Sequence, residues 1–261
     1  MNNDKLLDFH KFGKKHYSQN KEDGIIEEIF NRIGFTNKLG LEMCCGSGCQ
    51  CNLTNLIINE KLDRVLYIDK NTKQIIKGKL WWQRKIEKYP NIKIPKYIDT
   101  YIKKDTINSI LKDNDMIGEM DILSLDMDGI DYWILIELLK VINPRLIVLE
   151  FHDIPGPNLN ITVPFKEPFS GWNKWKKGGP NWSGASLGAF KKLLTNYDLV
   201  GTENKGFNAF FIRKDVNKLH KAFEPFTNEE LYMVWAVRTI INQQKLKDRW
   251  DYVKHLPWQE V

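Results

Sequence analysis

The 261-residue sequence predicts an α/β domain with a mostly parallel sheet that ends in an antiparallel hairpin. Three observations carry this expectation. Strand-length apolar runs alternate with amphipathic helical segments from about residue 17 to 151, the pattern that places helices on both faces of a parallel sheet. A turn holding Gly46 and Gly48 joins the first of these strands to the helix after it. The last two strand-like stretches, DLVGTE and NAFFIRKD, are separated only by residues 204–207, too few for a parallel crossover, so they pair as a hairpin.

Residues 17–33, YSQNKEDGIIEEIFNRI, set Ile25, Ile26, Ile29, Phe30 and Ile33 at helical spacing, and Gly34 ends the helix. The alternation then reads strand 39–43, helix 52–61, strand 64–69, helix 71–87, a weaker strand over 97–102 and helix 105–112. DILSLD, ending at Asp126, and RLIVLEF, ending near Phe151, are two stronger strands on either side of a helix over 131–142. Residues 153–183, rich in proline and glycine, interrupt the pattern before a helix over 184–195, and loops this long inside a compact domain are usually functional covers. One domain is expected across 1–261: an N-terminal helix at 17–35, a core at 38–214 with the insert 153–183, and a helical extension at 215–261 that caps the sheet or forms a homodimer contact.

Composition limits the function classes. The net charge of +6, from 39 basic and 33 acidic residues, is compatible with anionic partners without requiring them. All four cysteines, Cys44, Cys45, Cys49 and Cys51, fall within eight residues, where bridges would be strained and would staple nothing distant. Without a CxxC pair the cluster also makes a poor zinc or iron–sulfur site, and reduced, small side chains are expected. There is no apolar run of about 18 residues and no signal-like N-terminus, so a soluble protein is expected in the cytoplasm, or the host cytoplasm if the chain is viral, with no membrane partner. Trp172, Trp175 and Trp182 fall in the loop-like insert, where flat aromatic faces suit sugars or bases.

The chemistry concentrates at strand ends. In LGLEMCCGSG an apolar run reaches Glu42 and breaks into the Gly46–Gly48 turn, and twenty-one residues beyond Gly48 the strand VLYID ends on Asp69. A glycine turn admits a nucleoside cofactor against the backbone, and an acid at the next strand tip accepts from both ribose hydroxyls. The spacing is not the GxGxxG of dinucleotide sites, which gives an NAD-dependent oxidoreductase little support. It resembles instead the ExGxGxG motif of S-adenosyl-L-methionine (SAM) methyltransferases, with Cys44 at the first glycine position. The expected architecture is thus the Rossmann-like, seven-stranded SAM methyltransferase fold. Downstream, DILSLDMDGIDYW places Asp126, Asp128 and Asp131 together, and the next strand delivers Glu150, His152 and Asp153. Gathered carboxylates are costly unless solvated, hydrogen-bonded or arranged round a cation, and an oxygen-rich set of Asp126, Asp128 and Glu150 suits Mg²⁺ or Mn²⁺. Asp128 and Asp131 also have the alternative role of turn and helix cap.

Several segments together resemble the FkbM-like branch of SAM-dependent methyltransferases, including the sugar O-methyltransferases of bacterial and large-virus glycan pathways. They are YSQNKEDGIIEEIF, CNLTNLI, TYIKKDTINSIL, DILSLDMDGIDYW, RLIVLEFHDIPGP with ITVPF, and GASLGAFKKLL followed by YDLVGTENKGFNAFFIR, in order from about residue 17 to 215. The resemblance implies SAM contacts at Glu42, Gly46, Gly48 and Asp69, further cofactor contacts at Gln19 and Asn52, and catalytic or metal-binding roles for Asp126 and Asp128. Two positions depart from it: Cys44 stands for a glycine, which narrows the pocket, and His152 stands where relatives often carry asparagine and adds a proton acceptor. The expected function is O-methylation of a sugar hydroxyl on a glycan or nucleotide-sugar, with Asp126 and His152 orienting and deprotonating the acceptor. A nucleic-acid methyltransferase is the nearest alternative, disfavoured by the absence of an NPPY-like tetrapeptide. A catalytically degenerate SAM-fold binding protein is the alternative from another class.

Overall fold

A computed structural model describes residues 4–156, 158–169, 182–226, 230 and 249–261. Its main sheet has seven strands: β1 (Leu39–Met43), β2 (Arg64–Asp69), β3 (Lys96–Asp99), β4 (Gly118–Leu125), β5 (Ile142–Glu150), β7 (Tyr197–Thr202) and β8 (Asn208–Arg213). The spatial order is β3-β2-β1-β4-β5-β8-β7. The first five are parallel, and β8 runs antiparallel to both β5 and β7, so the predicted closing hairpin is present. A short pair outside the sheet, β6 (Ile161–Thr162) with β9 (Gln259–Glu260), ties the C-terminal end of the sequence to the insert.

Strand alternation sorts the core into two layers. Leu41, Met43, Leu66, Ile68, Leu123, Leu149 and Phe211 face one way, onto α5 (Ile107–Asp113), α6 (Asp131–Leu138) and α7 (Leu187–Leu193). Val65, Tyr67, Ile122, Val148, Phe210 and Ile212 face the other, onto α2 (Glu22–Ile33), α3 (Thr54–Ile58), α4 (Thr72–Lys88) and α8 (Lys214–His220). A buried ion pair, Arg145 to Asp121 at 2.9 Å, pins β5 to β4, and Asp121 also accepts from the Thr36, Asn37 and Lys38 N–H groups ahead of β1.

Several boundaries differ from expectation for identifiable reasons. The helix predicted from residue 17 starts at Glu22, because Asp23 Oδ2 accepts from the N–H groups of His16, Tyr17 and Ser18 and holds them as a hook. Lys21 then turns the chain with φ 76°. The helix predicted over 52–61 shortens to α3, since Glu42 takes the Asn52 and Leu53 N–H groups. α6 ends at Leu138, so that β5 begins at Ile142. A further helix, α1 (Asp4–Lys11), precedes the predicted ones. Of the C-terminal extension, the described parts are α8, a helical turn at 249–253 and β9. No helix among the described residues is long and apolar enough to cross a membrane.

Candidate active site

The turn after β1 is held by backbone geometry. Cys44 adopts φ 55°, a left-handed conformation that favours glycine, and donates its N–H to Ile68 O at 2.8 Å. Gly46 (φ 54°) donates to Asp69 Oδ2 at 2.7 Å, while Asp69 Oδ1 accepts from Asn71 N at 2.7 Å. Asp69 therefore clamps the turn and the start of α4 from the tip of β2. Gly48 (φ 70°) sits over Tyr67 and Tyr97, leaving no room for a Cβ. The Tyr97 hydroxyl donates to Ser47 O at 2.8 Å and closes the turn from β3.

Above this turn, at the carboxyl ends of the strands, lies a cavity of about 840 Å³. The chain brings Gln19, Glu42, Gly46, Asn52, Asp69, Asp126 and Glu150 to its wall. Gly48 lies beneath the turn, and Asp128 and His152 are not among the described lining residues. Asp128, with φ 55°, still joins Asp126 and Glu150: ligand oxygens of the three lie within 4.8 Å of one another. His152 turns away, its N–H bonded to Ala185 O at 2.7 Å and its ring stacked on Trp258 at 5.9 Å. Trp182 packs against Phe169 and Trp258, whereas Trp172 and Trp175 lie outside the described residues.

The site is strongly acidic. Glu22, Glu42, Asp69, Asp126 and Glu150 line the cavity, and no lysine, arginine or histidine does among the described residues. Burial pushes the Glu42 carboxyl up to about 7, against the opposing pull of the Asn52 and Leu53 N–H groups and the hydroxyl of Ser124. Asp126 opens to solvent through the cavity, yet the protein around it raises its pKa, and it shares a hydrogen bond with Glu150. Desolvation first, and then the charges of Asp126 and Asp128, hold Glu150 protonated well above the usual carboxylate range. Asp126 and Glu150 are hydrogen-bonded neighbours, so the two carboxyls titrate as a pair. Asp131 serves the turn: it is buried, accepts from Met127 N and Gly129 N at 2.7 and 2.9 Å, and is raised to about 6 mainly by burial.

The four cysteines are free thiols. Desolvation by the surrounding protein is the first cause raising each of them, including Cys44, whose side chain is exposed to solvent and to which the neighbouring Asp131, Asp69, Asp126 and Asp128 charges add. Thiols held protonated are poor nucleophiles and poor metal ligands.

Glu22 and Asn208 are among the wall residues not anticipated from the sequence. Glu22, at the start of α2, accepts from Asn20 N at 2.7 Å and from Asn208 Nδ2 at 2.8 Å, and Asn208 opens β8. Polar residues at the first position of a buried helix and a central strand were the available signal.

No family model matches the chain. No curated protein matches it either. Solved structures that resemble it are methyltransferases. A protein from Klebsiella pneumoniae assigned as an O-methyltransferase aligns with a TM-score of 0.44 at 12% identity, covering 80% of this chain and 88% of that one. A SAM-dependent methyltransferase from Clostridium acetobutylicum gives 0.40 at 8% identity, over 74% and 90%. A precorrin-6y C5,15-methyltransferase from Geobacter metallireducens gives 0.35 at 11% identity, over 53% of this chain, which spans 66% of that protein. At these identities the likeness concerns the fold, a Rossmann-like seven-stranded sheet ending in an antiparallel hairpin.

Proposed function

We propose that the chain is a SAM-dependent O-methyltransferase acting on a sugar hydroxyl of a glycan or nucleotide-sugar. The observation that carries this reading is the cavity itself, with Asp69 at the tip of β2, the Asp126–Glu150 pair at the ends of β4 and β5, and carboxylates as the only charged groups among its described lining residues. The donor set fits SAM. Asp69 keeps lone pairs for ribose hydroxyls, and acidic walls suit a ligand with sulfonium and ammonium charges but not a pyrophosphate. When bound, SAM supplies an electrophilic methyl group on a good leaving group.

The chain's own residues position the acceptor and remove its proton. Alignment of the reacting groups supplies roughly 7–11 kcal/mol, and a general base adds about 10² to 10⁴ in rate. Asp126 is the proton acceptor at the cavity wall, hydrogen-bonded to Glu150. His152, two residues past Glu150 and stacked on Trp258, is not among the described lining residues and is given no part in the proton transfer. Asp126, Asp128 and Glu150 would hold a Mg²⁺ or Mn²⁺ ion, whose preference is for hard oxygen donors. A screen of monosaccharides, nucleotide-sugars and glycans with methyl-labelled SAM, with and without EDTA, tests the reading. Label in a sugar supports it, and loss of turnover in EDTA restored by Mg²⁺ or Mn²⁺ supports the metal; SAM binding without label in any sugar would overturn the acceptor class.

One observation favours nucleic acid as a second reading. α4 exposes Lys73, Lys77, Lys79, Arg84 and Lys88, none of them in an ion pair among the described residues. Phosphate contacts on this helix would make RNA binding fall steeply with salt. Binding that is absent, or flat with salt, removes this alternative.

A further inference from the structure

Buried carboxylates elsewhere in this chain either pair with a cation, as Asp121 does with Arg145 at 2.9 Å, or are held by backbone N–H groups, as Asp23, Asp131 and Glu203 are. Those of the cavity stand together in one cleft. Glu22 is 1% exposed, yet it lines the cavity and its hydrogen-bond donors, Asn20 N and Asn208 Nδ2, are both neutral. Glu42 and Asp69 likewise receive neutral N–H groups. None of the five lining carboxylates has a lysine, arginine or histidine within ion-pair distance among the described residues. Five carboxyl groups stand in one cleft with no lysine, arginine or histidine among its described lining residues. Desolvated carboxylates are costly in that state and favour a cationic occupant.

We infer that this cavity selects its donor by positive charge, with Glu22 as a specificity-determining residue, so that SAM is held and the neutral thioether product S-adenosylhomocysteine is released. The inference rests on the reading of SAM as the donor and goes beyond it. SAM carries two positive charges and one negative; the product has lost the sulfonium charge and is neutral overall. The two molecules differ only in the methyl group and the charge it confers, and sinefungin, which is charged at that position without a sulfonium, separates the charge from the methyl group. Glu22 is the cavity carboxylate outside the Asp126, Asp128 and Glu150 triad that α2 contributes, and its position is fixed from two sides by Asn20 and Asn208. One unit charge about 7 Å from another, at an effective dielectric constant of about 20, changes affinity by roughly fiftyfold, and an open cleft reduces this to on the order of tenfold.

The test is calorimetric titration of the full chain, in EDTA so that no metal ion supplies charge. The three ligands are SAM, S-adenosylhomocysteine and sinefungin, whose amine replaces the sulfonium. We expect SAM and sinefungin to bind about tenfold tighter than S-adenosylhomocysteine, with a gap that narrows as salt rises from about 50 to about 500 mM. Glu22→Gln should weaken SAM and sinefungin about five- to tenfold and leave S-adenosylhomocysteine unchanged. Equal affinity of the wild type for SAM and S-adenosylhomocysteine overturns the inference and leaves the donor assignment standing. So does an equal loss for all three ligands in Glu22→Gln, the mark of a merely structural role. No binding of any of the three by the wild type would instead overturn the donor assignment beneath it. Should Glu22→Gln fail to fold, the wild-type ratio and its salt dependence decide the matter alone.

Discussion

Replacing Asp69 separates two roles that the structure joins in one side chain. Its two oxygens accept from Gly46 N and Asn71 N at 2.7 Å each, and the residue is 8% exposed. Asp69→Ala leaves two N–H groups of the turn without their acceptors. Hydrogen bonds to a charged group contribute about 1.5–3 kcal/mol each, and water entering from the cavity offsets part, so a loss of about 3 kcal/mol is expected. For a domain of this size that lowers Tm by roughly 6–12 °C. SAM affinity should fall at least about 100-fold, the loss of charge-assisted bonds to the ribose. Asp69→Asn keeps one acceptor and should cost about half the stability, with a smaller loss of affinity. Thermal unfolding paired with calorimetric SAM titration reads both effects. An Asp69→Ala protein that melts and binds SAM like the wild type would refute the placement of this carboxylate.

Other substitutions probe the remaining parts of the site. Asp126→Ala should lower kcat by about 10² to 10⁴ with SAM affinity nearly unchanged, because the proton acceptor is lost while Asp69 and the Gly46–Gly48 turn stay in place; rapid-quench kinetics beside SAM titration would show otherwise if affinity collapsed too. Gly48→Ala forces a Cβ against the Tyr97 hydroxyl and to 2.6 Å from the Tyr67 ring at φ 70°, and should destabilise the fold by about 2–4 kcal/mol in chemical denaturation. Glu42 at about 7 and Asp131 at about 6 both lie above their unfolded values, so the stability they contribute is fully present below about pH 4 and is lost as pH rises to 7. The loss amounts to up to about 3 kcal/mol for Glu42, and Glu42→Gln should flatten that decline; an unchanged slope between pH 5 and 7 in the variant would contradict the burial of this carboxyl.

The parts of the fold legible in the sequence were those written in a single period. Apolar strands such as VLYID and DILSLD, each followed by a helix-spaced segment, specify the parallel sheet, and the four-residue link at 204–207 leaves the last two strands no choice but a hairpin. Asp69 was legible for the same reason, since an acid at the end of an apolar strand must lie at the sheet's carboxyl edge. Glu22 and Asn208 were not: they are 186 residues apart and meet only because β8 inserts between β5 and β7 and brings its first residue under α2. The pairing of β6 with β9 joins residues about a hundred apart through two-residue strands that carry no periodic signal. His152 looked like a wall residue because it follows a strand tip, yet it is not among the described lining residues, and its ring stacks on Trp258. The expected helix over 17–21 was displaced by the three N–H groups gathered on Asp23, a tertiary preference that helical spacing cannot reveal.

The central claim is that the cleft over the Gly46–Gly48 turn is an adenosyl-donor site. Its most direct measurement is a crystal structure of the protein grown with SAM. We expect donor density in this cavity, with the ribose hydroxyls on Asp69 and the methionine end toward the carboxylates of Glu22, Asp126 and Glu150. A cavity holding only solvent at saturating SAM, or the donor bound elsewhere on the molecule, would contradict it.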